Sequence, residues 1–521
     1  MTPTFCHRCG DAVEDGCDLW EELAELDALL GRLKLKRYDL KRKINRFHSP
    51  IVRQLPPDVT STIFEFCLPD FTNCQLSPFT REDLFSPLSL GAICSDWREI
   101  AWSTPSLWCS LVVRFPRNDS YIAIGIAQEW LARSGQLPLS IRIYATPFYR
   151  KAVSALADII NPYSSRWSEL DLNMPQHYYK YFHATTPILK SVRFHNSDRD
   201  ATNLNFQLTC PRLERANLWS FPVNGTNIHW DNLTHLTLSA MSITDSFLVL
   251  RKTPRLVFCK VSGFGLRHRE PTQPSIGTPL VLTSLRSLQF KRHVDTSFTK
   301  YFLNNLIVPH LEEFSLPRYY SSSVEAITSF LRRSACSLRS FSMTFSTFPP
   351  YFEGFMGLLQ SMPSLNTLSI ISITTLMNTT HEEYDPRIIL QLVAKVLSSQ
   401  STSLQQGFLP NLKILEYTGE LYLRPEKYGD LYPLPPADNA VHGPLHLLKL
   451  DLYPTFRIPE NMISYLSSLV ERGVTVNVLS ESEDILQSSI DYYRRRKDFS
   501  CQDWTDNLDS IDFCGVSQLE Q

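Results

Sequence analysis

From Leu19 the apolar positions run Leu19, Leu23, Leu26, Leu30, Leu33, Leu40, Ile44 and Phe47, in steps that alternate four and three, with Arg37 as the one break. This is an a/d seam and predicts a coiled-coil-type helix over 19–48. Its first half carries acids (Glu21, Glu22, Glu25, Asp27) and its second carries bases (Arg32, Lys34, Lys36, Arg37, Lys41, Arg42, Lys43, Arg46). That order suits the helix dipole. It also lets two head-to-tail copies pair acid with base, so a homodimer through 19–48 is expected beside the alternative of an amphipathic helix packed on its own chain. Residues 1–18 read as a disordered, cysteine-containing tip.

A second pattern begins at Leu55-Pro56-Pro57-Asp58, where a double proline fits a helix start. Val59, Ile63, Phe66 and Cys67 are spaced for one buried face, Ile63 and Phe64 stand side by side and widen it, and Pro69 stops the helix. After a loop, Leu88 to Trp102 predicts another helix with a stripe of Leu90, Ile93, Cys94, Trp97, Ile100 and Ala101. Ser103-Thr104-Pro105 ends it, and Ser106 to Val113 predicts a turn and a strand.

Between 115 and 480 an apolar residue, two others, an apolar, one other and an apolar recur in order. The instances begin at Trp167, Leu189, Leu213, Leu233, Leu256, Leu285, Leu311, Leu338, Leu365, Leu412 and Leu447. Proline stands two residues ahead of six of them: Pro187, Pro211, Pro254, Pro309, Pro363 and Pro410. The last two apolars of each unit alternate, so they face inward from one short strand. One unit cannot bury that face alone, and consecutive units must stack. Most intervals lie in or near the ~20–29 residues of leucine-rich repeats. The position between the inward apolars, expected on a concave surface, reads Asp171, Arg193, Asn217, Thr237, Lys260, Gln289, Ser315, Ser342, Ser369, Glu416 and Asp451. No single-sign stripe is visible there, so a protein partner is expected rather than nucleic acid. Gly473 to Val478 predicts a final strand, and 481–521 a polar tail with a helix from Ile485 through Tyr493.

Segment 50–113 resembles the F-box, in its F-box-like form. The matching words are Leu55-Pro56-Pro57-Asp58, Ile63-Phe64, Cys67-Leu68-Pro69, Ile93-Cys94-Ser95-Asp96-Trp97-Arg98-Glu99-Ile100-Ala101 and Thr104-Pro105-Ser106-Leu107-Trp108. The loop 70–87 is longer than in a compact F-box. The resemblance implies an all-α module that docks on the Skp-type adaptor of a cullin ligase core. Carried over by position, Leu55, Pro56, Ile63 and Phe64 would touch the adaptor, while Trp97 and Trp108 close the module's own core. The repeats that follow resemble the irregular leucine-rich arrays of ubiquitin-ligase receptors, though without the asparagine or cysteine of regular types. The expected fold class is therefore α/β: a coiled-coil-type helix, an all-α F-box, and a leucine-rich-repeat-like solenoid over 114–480. The expected function is substrate recognition in an SCF-type ligase. A non-catalytic scaffold with a degenerate F-box is the alternative.

Composition narrows the chemistry. Lysine and arginine number 51 against 53 aspartate and glutamate, so no global basic field draws the chain to nucleic acid. Proline (34) outnumbers glycine (18), leaving little material for phosphate-cradling loops. No stretch approaches a membrane span and no signal sequence is written at the start, so a cytoplasmic or nuclear protein is expected. The P-loop, dinucleotide, nucleophile-elbow and zincin words are missing, and no intrinsic active site or cofactor is expected. Cys6 and Cys9 form a C-x2-C pair that Cys17 and His48 could complete into a zinc site. The second ligand pair that such sites carry is missing, so free thiols are expected instead and no metal is assigned.

Overall fold

The computed structural model describes residues 15–48, 54–68, 86–115, 120–198, 204–263, 278–291, 296–316, 324–345, 352–372, 392–393, 395–396, 408–419, 445–452, 458, 460–480 and 483–500. The chain is mixed α/β with mostly parallel strands. It divides into two compact units, one of residues 1–174 with 181–189, the other of 175–180 with 190–521.

The first unit opens with a helix over Asp15–His48, longer than the heptad seam required. Glu22 through Ile44 are all exposed, so the seam Leu23, Leu26, Leu30, Leu33, Leu40 and Ile44 faces water. The helix Pro57–Phe66 follows, with proline at its start as expected. The single helix expected over 88–102 is two, Ser86–Ile93 and Ser95–Ser103. Cys94 leaves the helical backbone, and its thiol accepts from the Trp97 amide at 3.4 Å, which caps the second piece. Three parallel strands then form a sheet, Ser110–Arg114, Leu139–Tyr144 and Trp167–Met174. Helices Ser120–Arg133 and Arg150–Ile160 lie in the two connections. The strand Ser110–Arg114 straddles the boundary expected at 113. Two sheet strands therefore precede Trp167: the first answers to the turn and strand expected over Ser106 to Val113, and the second, Leu139–Tyr144, was not expected.

In the second unit the strands of the large sheet pair in parallel and in chain order, through Ser191–Asn196, Arg215–Trp219, His235–Ser239, Phe258–Ser262, Ser287–Phe290, Glu313–Leu316, Ser340–Phe345, Thr367–Ser372, Ile414–Gly419, Leu447–Leu452 and Thr475–Ser480, while short strands in the connections pair separately, Phe206–Thr209 with Thr226–Ile228 and Leu280–Val281 with Leu306–Ile307. The inward apolars of each repeat are buried, and aromatic rings link successive layers: Phe290 meets Phe302 and Phe314, and Phe314 meets Phe330 and Phe341.

The six prolines ahead of repeats share one structural job. In six repeats the leading leucine amide donates to the carbonyl three residues back, Leu189 to Thr186, Leu213 to Cys210, Leu256 to Thr253, Leu311 to Val308, Leu365 to Met362 and Leu412 to Leu409. Proline is the second residue of each turn, where its fixed φ suits the geometry and its missing N–H is not needed. Trp230 to Leu233 makes the same turn with aspartate in that place. From Lys190 to Lys413 the next carbonyl in nine repeats receives two amides from the following one, as Lys190 does from Glu214 and Arg215, while His446 receives only the Thr475 amide.

Three expectations are corrected here. The last repeat begins at Leu445, not Leu447, because Leu448 and Leu450 pair with Leu415 and Tyr417. Its face position is therefore Lys449, opposite Glu416, and Asp451 lies two residues further along. Asparagine is not wholly missing from the turns: buried Asn196 donates through Nδ2 to the Ser220 carbonyl of the next repeat at 3.1 Å. Part of the expected polar tail is built in. Glu483–Asp484 pairs antiparallel with Thr475–Ser480, and the helix Ile485–Ser500 sends the buried Ser489 hydroxyl to accept from the Ile458 amide.

Candidate functional site

The helix Pro57–Phe66 turns two different faces outward and inward. Phe64 is 1% exposed, and its ring lies 4.9 Å from that of Trp97. Thr60 is buried on the same side. The opposite stripe, Val59, Ile63 and Phe66, is 43%, 40% and 86% exposed. Those residues are spaced i, i+4, i+7 and share one helical face. The expectation of a buried Val59–Ile63–Phe66–Cys67 face is reversed, since Cys67 is exposed too. The expectation of an outward-facing Phe64 is corrected as well, because adjacent residues on a helix differ by about 100° and only one of the pair can point each way. Of the four residues expected to meet an adaptor, Pro56 and Ile63 are exposed, Leu55 is half-buried and Phe64 is core.

The module beneath this stripe is held by tryptophans. Trp108 is buried, donates its indole N–H to the Ala101 carbonyl at 2.8 Å, and meets Trp102 and Trp130 edge-on. The Arg133 guanidinium lies over both Trp102 and Trp108. Trp102 approaches the backbone at Gly91, where a Cβ would stand 1.8 Å from a ring atom. The Ser106 hydroxyl donates to the Glu65 carboxylate and ties the turn after the last helix to the first. Leu88 and Ile93, on the short middle helix, are also exposed.

The second surface is the face of the sheet that points away from the leucine core. In a parallel sheet in register, residues two apart share a face, so three rows can be followed across the second unit. The middle row is the one expected from the sequence: Arg193, Asn217, Thr237, Lys260, Gln289, Ser315, Ser342 and Ser369. One flanking row reads Ser191, Arg215, His235, Phe258, Ser287, Glu313 and Ser340, and the other begins His195, Trp219, Ser239 and Ser262. Lys291, one residue past its strand, continues that last row and is bound through its amide to Val261. His195 tilts against Trp219 at 5.2 Å, and His235 stacks on Phe258 at 5.7 Å. Burial, and then the nearby Lys291 cation, hold the Lys260 ammonium below its ordinary pKa. The neutral face expected from one row is thus basic and aromatic at one end, because Arg215, Lys291, both histidines and both rings, in the two flanking rows, join Arg193 and Lys260 of the row already read.

Among the described residues no group of three His, Cys, Asp or Glu could hold a metal ion, and no helix is long and apolar enough to cross a membrane. Cys6 and Cys9 lie outside the described residues. No family model and no curated protein matches the chain.

Proposed function

We propose that the chain is the substrate-recognition subunit of an SCF-type cullin–RING ubiquitin ligase. The segment 50–113 docks on the Skp-type adaptor, and a leucine-rich-repeat-like solenoid over 114–480 binds a protein substrate. The observation that carries this reading is the water-facing stripe of Val59, Ile63 and Phe66 on a short proline-led helix whose other face is packed. Fully covering such a side chain contributes about 1.5–3 kcal/mol, and the exposed parts of Val59, Ile63 and Phe66 supply a share of that to docking. Leu55, Pro56 and Ile63 keep their expected role, and Phe66 and Val59 take the place that Phe64 leaves. Strands that pair in chain order support the solenoid, since each repeat then buries its core on the next. The chain itself is non-catalytic on this reading. It works in the cytoplasm or nucleus by tethering the substrate near the charged ubiquitin carrier, which raises its effective concentration there.

The test is recovery of the purified adaptor by the full chain and by an Ile63→Asp, Phe66→Asp variant. Adaptor retained by the wild type and lost by the variant supports the reading. Equal recovery rules out docking through this stripe, and no recovery by either favours the scaffold with a degenerate F-box.

The N-terminal helix supports a homodimer in addition. Leu23, Leu30 and Ile44 take heptad position a and Leu26, Leu33, Leu40 and Phe47 take d, all exposed. Glu22, Lys36 and Lys43 then fall at g, and Asp27, Lys34 and Lys41 at e. A parallel pair would set Glu22 by Asp27 and Lys36 by Lys41, like against like. An antiparallel pair with Leu30 layered on Leu33 sets Glu22 by Lys43 and Asp27 by Lys34, which favours that orientation.

A further inference from the structure

The basic end of the sheet face has a composition that the rest of the face lacks. Across the strands from Ser191–Asn196 to Ser287–Phe290 it carries Arg193, Arg215, Lys260 and, just beyond, Lys291, with His195 and His235 among them. These strands contain no aspartate or glutamate. Three acids near its margins are engaged: Glu313 accepts from the Ser287 hydroxyl, Asp198 from the Gln176 amide, and Asp245 from the Val223 amide. Arg215, Lys260 and Lys291 form no ion pair among the described residues. Two half-exposed rings, Trp219 and Phe258, lie between the cations.

We propose that this face binds an acidic protein segment that also carries an aromatic or apolar side chain, the acids meeting Arg215, Lys260 and Lys291 and the apolar group resting on Trp219 and Phe258. The inference rests on the reading of the array as a substrate-binding surface and names the chemistry of that substrate. Size supports a peptide over a small anion, because five strands at about 4.8 Å spacing cover roughly 19 Å. It also opposes a nucleic acid. The basic rows give way to Ser315, Ser342 and Ser369, so no track continues along a phosphate backbone, and the chain's charge is near balance. The raised energy of holding Lys260 beside Lys291 falls when a carboxylate enters between them.

The test is fluorescence anisotropy with the full chain and three labelled probes: a peptide alternating aspartate and tyrosine, the same peptide with lysine for aspartate, and a single-stranded oligouridine. The acidic peptide is expected to bind the wild type and to lose roughly tenfold or more in affinity to an Arg215→Glu, Lys260→Glu variant. A Trp219→Ala variant is expected to weaken it with the charges intact. The lysine peptide is expected not to bind. Equal binding by the wild type and the charge variant, no binding by either, or tighter binding of oligouridine overturns the proposal. Adaptor recovery by the same variants separates the two readings. Peptide bound without adaptor recovered would leave this site standing and sink the ligase role, and adaptor recovered without peptide bound would do the reverse.

Discussion

Phe64 and Trp97 meet with ring centroids 4.9 Å apart and planes tilted by 51°. This contact decides which of two neighbouring apolar residues holds the helix down and which remains for a partner. Phe64→Ala is expected to cost about 3–5 kcal/mol through the cavity it leaves. Ile63→Ala is expected to change stability by no more than about 0.5 kcal/mol, because its side chain faces water. Chemical denaturation followed by tryptophan fluorescence separates them; similar losses would mean that the inside and outside of this helix are misassigned.

Gly91→Ala offers a test of sign. In an ordinary helix the change stabilises by up to about 1 kcal/mol. Here the new Cβ would stand 1.8 Å from a Trp102 ring atom, so a loss of about 1–3 kcal/mol is expected as the ring is displaced. A rise in melting temperature would show that Trp102 does not rest on this backbone.

The dimer is expected to report on its own orientation. Light scattering of the full chain should give twice the monomer mass, and Leu26→Glu with Leu33→Glu should return it to the monomer. Glu22→Lys alone should weaken the dimer, and Lys43→Glu added to it should restore it. Failure of the second change to rescue the first rules out the antiparallel register, since in a parallel pair these residues do not meet.

The thiols divide by burial. Burial pushes Cys259 up to about 12 and Cys210 up to about 11, the latter offset in part by a backbone hydrogen bond with His229. Cys67 is exposed. A thiol reagent at pH 8 is therefore expected to label Cys67 in the native chain and to reach Cys210 and Cys259 only on unfolding. A raised thiol pKa means that the folded state keeps a proton which the unfolded state gives up. The linked stability is full below pH 9 and is lost as pH rises through the range between about 9 and about 12. Denaturation midpoints that stay flat from pH 8 to pH 11 would contradict this.

The succession of short parallel strands was largely legible in the sequence, because its signal is covalent and local. Pro363 two residues before Leu365 can be read without any tertiary knowledge, and the turn from Met362 to Leu365 follows from it. Choices between overlapping or adjacent apolar residues were not legible. Leu445, Leu447, Leu448, Leu450 and Leu452 fit the same pattern in two registers, and only pairing with the neighbouring strand selects one. Ile63 and Phe64 pose the same problem, and the position of Trp97 across the module resolves it. The basic end of the face went unread for a third reason: Arg215, His195 and Trp219 become neighbours of Lys260 and Arg193 only once the strands are laid side by side.

The two residues Glu483–Asp484 close the last strand of the array against an antiparallel partner too short to be extended. An open parallel edge is a template on which any other chain's strand can add. Both residues of the closing piece are acidic and exposed, so a strand approaching from outside meets negative charge and few free backbone groups. The two acids thus guard the end of the stack against addition of another chain, and replacing them with valines removes that charge from the strand a neighbour would approach there.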